Sequence, residues 1–248
     1  MNMRYTLGPS VGSRARLGMI VLQSDETLEY DLRRIIPDQD VALFISRVPS
    51  APTVSTETLA QMEQDLPYAA GLLPPVAFQA VGYGCTSGTS VIGAGRVDEL
   101  IRSKVQVPST TNPMSALVAA CQHMGVARLS FLSPYVDQVS AHLRSCLNAQ
   151  GIVTDNFANF NEESESAVAR IDTQSVIDAA VELQRRDPQQ AIFMSCTNLQ
   201  TLDAIPEIEQ RCKVPVFSSN LCLGWHLTVL AGIKPLQNIQ SLLLSKTV

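Results

Sequence analysis

The sequence predicts an α/β fold with two pseudo-symmetric three-layer lobes, each a mostly parallel sheet flanked by helices. Short apolar runs alternate with amphipathic stretches along all 248 residues, a pattern typical of strand–helix–strand units. The second half of the chain repeats motifs of the first half in the same order. In each half, one apolar run ends in Cys-Thr, at Cys85 and at Cys196. Strand ends of this kind are where open parallel sheets bind ligands.

The first half of the chain has the elements of one lobe. Apolar runs that end in turn residues predict its strands, which we place at residues 16–22, 41–48, 78–81 and 105–107. Hydroxyl or acidic residues that cap helix N-termini precede the first two helices, and we place its helices at about 25–36, 55–70 and 97–104. Residues 85–87, between the third strand and the last helix, are expected to form a small polar turn.

The second half repeats this alternation. Its strands are predicted at residues 128–132, 152–156, 191–195 and 214–218. Its helices are predicted at about 113–124, 134–150, 173–186, 202–211 and 221–231, with glycine or proline next to several of the ends. An acidic loop is expected at 161–166.

The two halves match in order and in spacing. An Arg-Leu pair opens an apolar strand at Arg16 and again at Arg128, and Cys-Thr follows after nearly the same number of residues. Further on, residues 104–112 match residues 213–220, and both segments lead into an apolar helix. These matches indicate two copies of one unit, although two α/β domains of similar length could also coincide by chance.

A duplicated unit sets the expected domain organisation. The N-terminal lobe spans residues 1–113 and is completed by a C-terminal helix at about 219–248, and the second lobe spans 114–218. Two such lobes related by a pseudo-twofold axis would enclose one small pocket between the carboxyl ends of their strands. The active site is therefore expected between the lobes, with Cys85 and Cys196 on opposite sides of it.

Composition excludes several classes of function. The net charge of −5 provides no basic surface for nucleic acid, and no run approaches the roughly 18 apolar residues that span a bilayer. The N-terminus lacks the apolar core of a signal peptide, so we expect a cytoplasmic protein with reduced cysteines. The cysteines show no C-x-x-C spacing and the histidines no H-x-x-x-H spacing, so no metal site is predicted.

Cys85 and Cys196 are the candidate catalytic residues. Free cysteines are commonly buried packing residues, and we interpret the other four in that way. These two differ because each ends a strand beside small hydroxyl residues, at equivalent places in the repeat. A strand-to-helix turn is expected to lower the pKa of a thiol, because N–H groups and the helix dipole favour the thiolate.

The side chains near these thiols have two interpretations each. Thr86, Ser87 and Thr197 either cap helices or donate hydrogen bonds to a bound carboxylate. Tyr135 follows a strand end, where its hydroxyl either reaches the same pocket or belongs to a half-buried packing residue. Asp25 takes the equivalent place in the first half; there it either stabilises a helix N-terminus or selects a cationic group of a substrate.

The motifs Gly84-Cys85-Thr86-Ser87, Pro134-Tyr135 and Ser195-Cys196-Thr197 resemble those of the aspartate/glutamate racemase superfamily. Within it, the chain is most similar to the branch of maleate cis–trans isomerase, arylmalonate decarboxylase and the ectoine-utilisation racemase-like proteins. The resemblance covers nearly the whole chain. It implies a cofactor-independent enzyme that acts on a small carboxylate, with no nucleic-acid or membrane partner, and it leaves a homo-oligomer open.

The resemblance also implies roles for single residues. Cys85 and Cys196 would stand on opposite faces of the substrate. The groups that would hold its carboxylate oxygens are the side chains of Thr86, Ser87 and Tyr135 and the N–H groups around Cys196 and Thr197. Decarboxylases of this branch carry glycine where Cys85 stands, whereas racemases and maleate isomerase keep both thiols, as this chain does.

Two acidic positions set the chain apart from maleate isomerases. These enzymes carry asparagine in the segment that reads Gln23-Ser24-Asp25 here, and a second asparagine where we align Glu165. Because an acidic side chain repels a second substrate carboxylate and attracts an ammonium group, the substituted positions favour an amino-acid-like substrate. Ser24, Asp25 and Glu165 are therefore added to the predicted substrate-binding residues.

The predicted function is that of a two-cysteine racemase or isomerase acting on an ectoine-derived amino acid or a maleate-type substrate. Two alternatives stay open. One is an arylmalonate-type decarboxylase that uses Cys196 alone. The other is a non-catalytic protein that binds carboxylates, because two-lobed α/β folds also bind small ligands without chemistry.

Overall fold

Two four-stranded sheets, parallel throughout, form the centre of the computed structural model, which describes residues 1–53 and 55–247. The first sheet contains β1 (Ala15–Leu22), β2 (Val41–Val48), β3 (Ala80–Gly84) and β4 (Ser109–Thr111). The second contains β5 (Leu129–Tyr135), β6 (Phe157–Glu162), β7 (Ala191–Met194) and β8 (Val216–Ser218). The predicted α/β fold class is confirmed.

Helices flank both sheets. The first half of the chain contributes α1 (Leu28–Ile35), α2 (Thr56–Gly71), α3 (Thr86–Ile92), α4 (Ala94–Arg102) and α5 (Pro113–Met124). The second half contributes α6 (Asp137–Ala149), α7 (Glu165–Val168), α8 (Thr173–Arg186), α9 (Ile205–Cys212), α10 (Ser219–Leu230) and α11 (Leu242–Ser245). Across the part of the chain that the structure describes, no helix has the length and apolarity needed to cross a membrane.

The strand order is the same in both sheets. It is β2-β1-β3-β4 in the first and β6-β5-β7-β8 in the second, so the third strand of each order, β3 and β7, is the one that leads into Cys-Thr. The two halves therefore place their cysteines at equivalent sheet positions, as a repeated unit would. The division of the chain at residue 113 stays a prediction.

The sequence forms these elements for local reasons. The inner strands are buried on both faces and read as nearly continuous apolar runs. Ser55, Asn112 and Asp172 accept N–H bonds as helix N-caps. Gly125, with φ 68°, ends α5 in the left-handed conformation that glycine adopts at little cost.

Several elements differ from the prediction. The acidic loop expected at 161–166 is occupied in part by the end of β6 and the start of α7. The fourth strand lies at Ser109–Thr111 instead of 105–107, after Pro108 rather than before it. Strand β6, at one edge of the second sheet, lies at Phe157–Glu162 instead of 152–156, in a half-buried segment that is partly polar. The turn expected after Cys85 is a helix, although Thr, Ser and Gly are weak helix formers.

Helices α5 and α10, each of which follows the fourth strand of its half, pack across to the other half. Helix α10 lies against α5 and also packs on α1 and β3, while α5 also touches β8. Residues 219–225 of α10 are all buried, because this part of the helix lies between elements of both halves rather than on a surface. This packing brings the carboxyl ends of β3 and β7 towards one another.

Candidate active site

Cys85 begins helix α3, directly after β3. It is the N-cap of that helix, and its sulfur accepts the backbone N–H of Gly88 at 3.1 Å. The hydroxyl of Ser87 lies 3.7 Å from the same sulfur. The hydroxyl of Tyr83, on the preceding strand, is a third polar group beside the thiol and lowers its pKa. The side chain is 2% exposed.

Cys196 follows β7 with a strained backbone. Its φ is 90°, a value rare outside glycine, and such conformations concentrate at functional sites. The hydroxyl of Tyr135 donates a hydrogen bond to its sulfur at 2.7 Å, and the backbone N–H of Asn198 donates another at 3.2 Å. The strained turn thus aims the thiol at two fixed donors.

The loops that carry the two cysteines meet between the sheets. The hydroxyl of Thr197 donates to the carbonyl oxygen of Gly84, the residue before Cys85, at 3.3 Å. The negative charge of Glu165 raises the pKa of both cysteines, and the charges of both thiolates raise the pKa of Tyr135. Both thiols therefore lie within electrostatic reach of the same carboxyl and the same phenol.

The expected lowering of the thiol pKa is wrong for this structure. Burial raises the pKa of Cys85 to about 12, and burial raises that of Cys196 well above its usual value. Glu165 adds to both shifts. The N–H bonds from Gly88 and Asn198 act in the predicted direction, but they are outweighed because burial disfavours a charged thiolate. Burial therefore favours the neutral thiol over the thiolate at both positions.

Two acidic side chains complete the surroundings of Cys196. Asp25 is 4% exposed and Glu165 is 5% exposed, and the charges of both raise the pKa of Cys196. Burial also raises the pKa of Asp25 and of Glu165. The side-chain amide of Asn198 donates to Glu165 Oε2 at 3.0 Å.

The predicted substrate-binding residues occupy different places. Five of them are near the thiols through the contacts and charges described above: Asp25, Ser87, Tyr135, Glu165 and Thr197.

Two further predicted residues bond elsewhere. The hydroxyl of Thr86 donates to Ser219 at the start of α10, at 2.8 Å. The hydroxyl of Ser24 pairs with that of Ser50 at 2.9 Å. Neither hydroxyl bonds to a thiol in the closed protein.

Sequence reasoning missed Asn198, which joins the two halves. Its side-chain oxygen accepts the N–H of Glu26 at 2.8 Å, and its backbone oxygen accepts the hydroxyl of Thr27 at 2.9 Å. Its amide nitrogen donates to both the backbone and the carboxyl of Glu165. The only signal in the sequence is its place after Cys-Thr, since its partners are remote along the chain.

Asn220 is a second missed contact residue. Ser218 caps α10, and Asn220 lies in the first turn of that helix. The side-chain nitrogen of Asn220 donates at 2.8 Å to the carbonyl oxygen of Thr197 and at 2.8 Å to Asp31. Asn220 therefore supports the strained turn at Cys196 from behind, and burial raises the pKa of its partner Asp31 to about 7.

A backbone pairing beside Glu165 links the two halves of the chain. Thr53 and Ser164 form an antiparallel bridge, and the N–H of Glu165 donates to the carbonyl oxygen of Pro52 at 3.2 Å. Since both thiols are buried, a substrate reaches them only when a covering segment moves. The pairing of residues 52–53 with 164–165 joins the two halves next to the site residue Glu165.

The fold and site can be compared with known proteins. A family model described as arylmalonate decarboxylase matches residues 53–244. The chain belongs to the arylmalonate decarboxylase family. The resemblance read from the cysteine motifs is thereby confirmed, as is the expectation that the chain belongs to a class of enzymes.

Individual relatives cover the chain to different extents. Arylmalonate decarboxylase of Bordetella bronchiseptica is 33% identical over 133 residues, which cover 53% of this chain and 55% of that enzyme, so the match spans about half of each. A maleate isomerase of Pseudomonas putida is 21% identical over 236 residues, covering 89% of this chain and 93% of that protein.

Among solved structures, a mutant maleate cis–trans isomerase of Nocardia farcinica with a covalently bound succinylcysteine intermediate has a TM-score of 0.83. It is 20% identical and covers 94% of this chain and 99% of that chain. At that identity the match establishes the fold alone.

Proposed function

We propose that the chain is a cofactor-independent isomerase, a racemase or a cis–trans isomerase, that acts on a small carboxylate with Cys85 and Cys196. One observation carries the proposal. Two thiols, at equivalent sheet positions and each next to a tyrosine hydroxyl and a backbone N–H, lie within electrostatic reach of the same carboxyl and phenol.

Two thiols on opposite faces suit a reaction that inverts or rotates a carbon. In a racemase, one cysteine as thiolate takes the proton alpha to the substrate carboxylate, and the other as thiol returns a proton to the opposite face. In a cis–trans isomerase, a thiolate adds to the double bond, the new single bond rotates, and the carbon–sulfur bond breaks to release the product and the thiolate.

Both routes place negative charge on the substrate carboxylate in the transition state. The hydroxyl groups near the thiols, those of Ser87 and Tyr135, can stabilise that charge once their O–H bonds turn from sulfur to the carboxylate, and a single such donor contributes about 3 kcal/mol. The Nocardia isomerase, in which a cysteine carries a succinyl group, supports thiolate addition as chemistry available to this fold.

The substrate class in this proposal is an ectoine-derived amino acid or a maleate-type dicarboxylate. The proposed location is the cytoplasm, which is supported by six cysteines that are all unbridged in the structure.

A decarboxylase that uses Cys196 alone is the second candidate, favoured by the family match over residues 53–244. The two reactions differ in what they ask of Cys85. A decarboxylase needs only one thiol to protonate the carbanion that carbon dioxide leaves behind, whereas a two-thiol isomerase needs both.

Single variants test the two candidates. Wild type, Cys85→Ala and Cys196→Ala are incubated in heavy water with a panel of amino acids, maleate and arylmalonates, and products are followed by NMR. We expect deuterium incorporation or cis–trans conversion in wild type and its loss in both variants, with Cys121→Ala as the matched control. Turnover that survives Cys85→Ala would favour the decarboxylase, and binding without any exchange would favour a non-catalytic protein.

A further inference from the structure

Asp25 and Glu165 form a buried acidic pair, and no described residue makes a salt bridge with either of them. Both are at least nine-tenths removed from solvent, and the charge of Asp25 raises the pKa of Glu165. Neither takes part in a salt bridge within residues 1–53 and 55–247. A buried carboxylate without a counter-ion is costly to the folded state, so the pair is not explained by stability.

The hydrogen bonds of the pair leave acceptor capacity on both carboxyls. Asp25 Oδ1 accepts the N–H groups of Thr27 at 2.9 Å and Leu28 at 2.7 Å. Its buried Oδ2 accepts no hydrogen bond within the described residues, and the polar side chain beside the carboxyl is the hydroxyl of Thr197, which lowers the pKa of Asp25. Glu165 uses Oε2 to accept from Asn198. The donors that hold these carboxyls are neutral, so they orient the two groups without cancelling their charge.

The arginine whose charge acts on Asp25 forms its hydrogen bonds and its salt bridge with other groups. Arg47 attracts Asp25 electrostatically, but its guanidinium donates to the backbone carbonyl oxygens of Leu22 at 2.9 Å and Asp25 at 3.0 Å. Its other nitrogen pairs with Glu29 at 3.3 Å. Arg47 therefore does not contact the carboxyl oxygens of the pair, and a positive charge from outside the chain would stabilise their ionised form.

We propose that Asp25 and Glu165 form a subsite for the ammonium group of the substrate, so that the two thiols act on amino-bearing, zwitterionic carboxylates rather than on dicarboxylates. This inference rests on the proposed function of the thiols. An ammonium group offers a positive charge and three N–H donors, which would satisfy the free oxygen of Asp25. A second substrate carboxylate at the same place would add like charge to a buried acidic pair.

The same subsite would link substrate binding to thiol activation. The negative charges that disfavour thiolate at Cys196 are those of Glu165 and Asp25. An ammonium group beside them cancels that repulsion and shifts the thiol towards its reactive, ionised form. A ligand without a positive charge leaves the repulsion in place.

Matched pairs of acids that differ only by an amino group test the subsite. The probes are alanine against propionate, aspartate against succinate and glutamate against glutarate, with both enantiomers of each amino acid. Protection of Cys85 and Cys196 against iodoacetamide, resolved by peptide mass spectrometry, measures binding without requiring turnover. The proteins are wild type, Asp25→Asn, Glu165→Gln and the control Glu26→Gln, an exposed acid next to Asp25.

In wild type and in Glu26→Gln, we expect the amino acid of at least one pair to protect the two thiols at a concentration about tenfold or more below that of its matched acid without the amino group. The preference should fall by a similar factor in Asp25→Asn and in Glu165→Gln. Should one variant fail to fold, the other still decides the outcome. The proposal is overturned if no pair shows the preference, or if the preference survives in the folded acidic-site variants.

The outcome separates this subsite from the proposed reaction. Turnover of a dicarboxylate that needs both cysteines, with no preference for amino acids, would overturn the ammonium subsite and leave the isomerase standing. An amino preference that depends on Asp25 and Glu165, with no exchange or isomerisation of any probe, would leave the subsite standing and remove the isomerase.

Discussion

Replacing Tyr135 by phenylalanine should make Cys196 markedly less reactive. The phenol donates a 2.7 Å hydrogen bond to the sulfur, and this bond lowers the pKa of Cys196 against the larger effect of burial. Hydrogen bonds to a charged partner contribute about 1.5–3 kcal/mol, which corresponds to roughly one to two pKa units. Without the phenol, the thiol pKa rises further and the thiolate fraction at a fixed pH falls about 10- to 100-fold.

Alkylation with iodoacetamide at pH 8, followed at each cysteine by peptide mass spectrometry, measures this effect without a known substrate. Cys85 in the same molecule is the internal control, because its reactivity reports how often the site opens. Tyr83→Phe is the matched variant. The Tyr83 hydroxyl lowers the pKa of Cys85, so this change should slow Cys85 and leave Cys196 unchanged.

Two results would refute the reasoning about Tyr135. The first is an alkylation rate of Cys196 that is the same in Tyr135→Phe and in wild type. The second is an equal slowing of Cys85 and Cys196 in that variant, since this would indicate a change in site opening rather than in the chemistry of one thiol.

Three further changes test other parts of the structure. Asn198→Ala removes one side-chain hydrogen bond to the other half, from Glu26 N–H, and the bonds to Glu165, and should lower the free energy of unfolding by about 3 kcal/mol in urea titrations; an unchanged midpoint would contradict its joining role. Residues of an antiparallel bridge lie within disulfide range, so oxidised Thr53→Cys/Ser164→Cys protein should protect both active-site thiols from alkylation until dithiothreitol is added. Because folding raises the pKa of Asp31 from 3.8 to about 7, the folded state binds the extra proton and loses that stability as pH rises through 7. Asp31→Asn should therefore gain on wild type by up to about 4 kcal/mol between pH 4 and pH 8, and parallel stability curves would contradict this.

Elements with strong local signals could be predicted from the sequence. The bounds of β2 and α8 agree with the prediction because each combines an apolar pattern with a clear start or stop, such as the cap at Asp172. Strand β6 was misplaced because an edge strand needs little apolar character. Helix α3 was missed because its residues are weak helix formers, and tertiary packing between the sheets holds them in a helix.

The site divides in the same way. Strand ends and hydroxyl neighbours pointed to Cys85, Cys196 and Tyr135, because such positions are set by the topology of parallel sheets. Asn198 and Tyr83 could not be found, because their roles depend on contacts that exist only after the halves pack together. The thiol pKa was expected to fall because the sequence displays the nearby N–H donors but not the depth of burial.

The packing of α5 and α10 across the two halves limits how this protein can be divided or shortened. Helix α10 covers β3 and α1, and α5 reaches across to β8, so each half supplies part of the other's interior. A single unit cut out of the chain would expose an apolar helix with no sheet of its own to cover. It could bury that helix only by domain swapping with a second copy. Truncation to one half should therefore produce swapped dimers or aggregates instead of a minimal monomer.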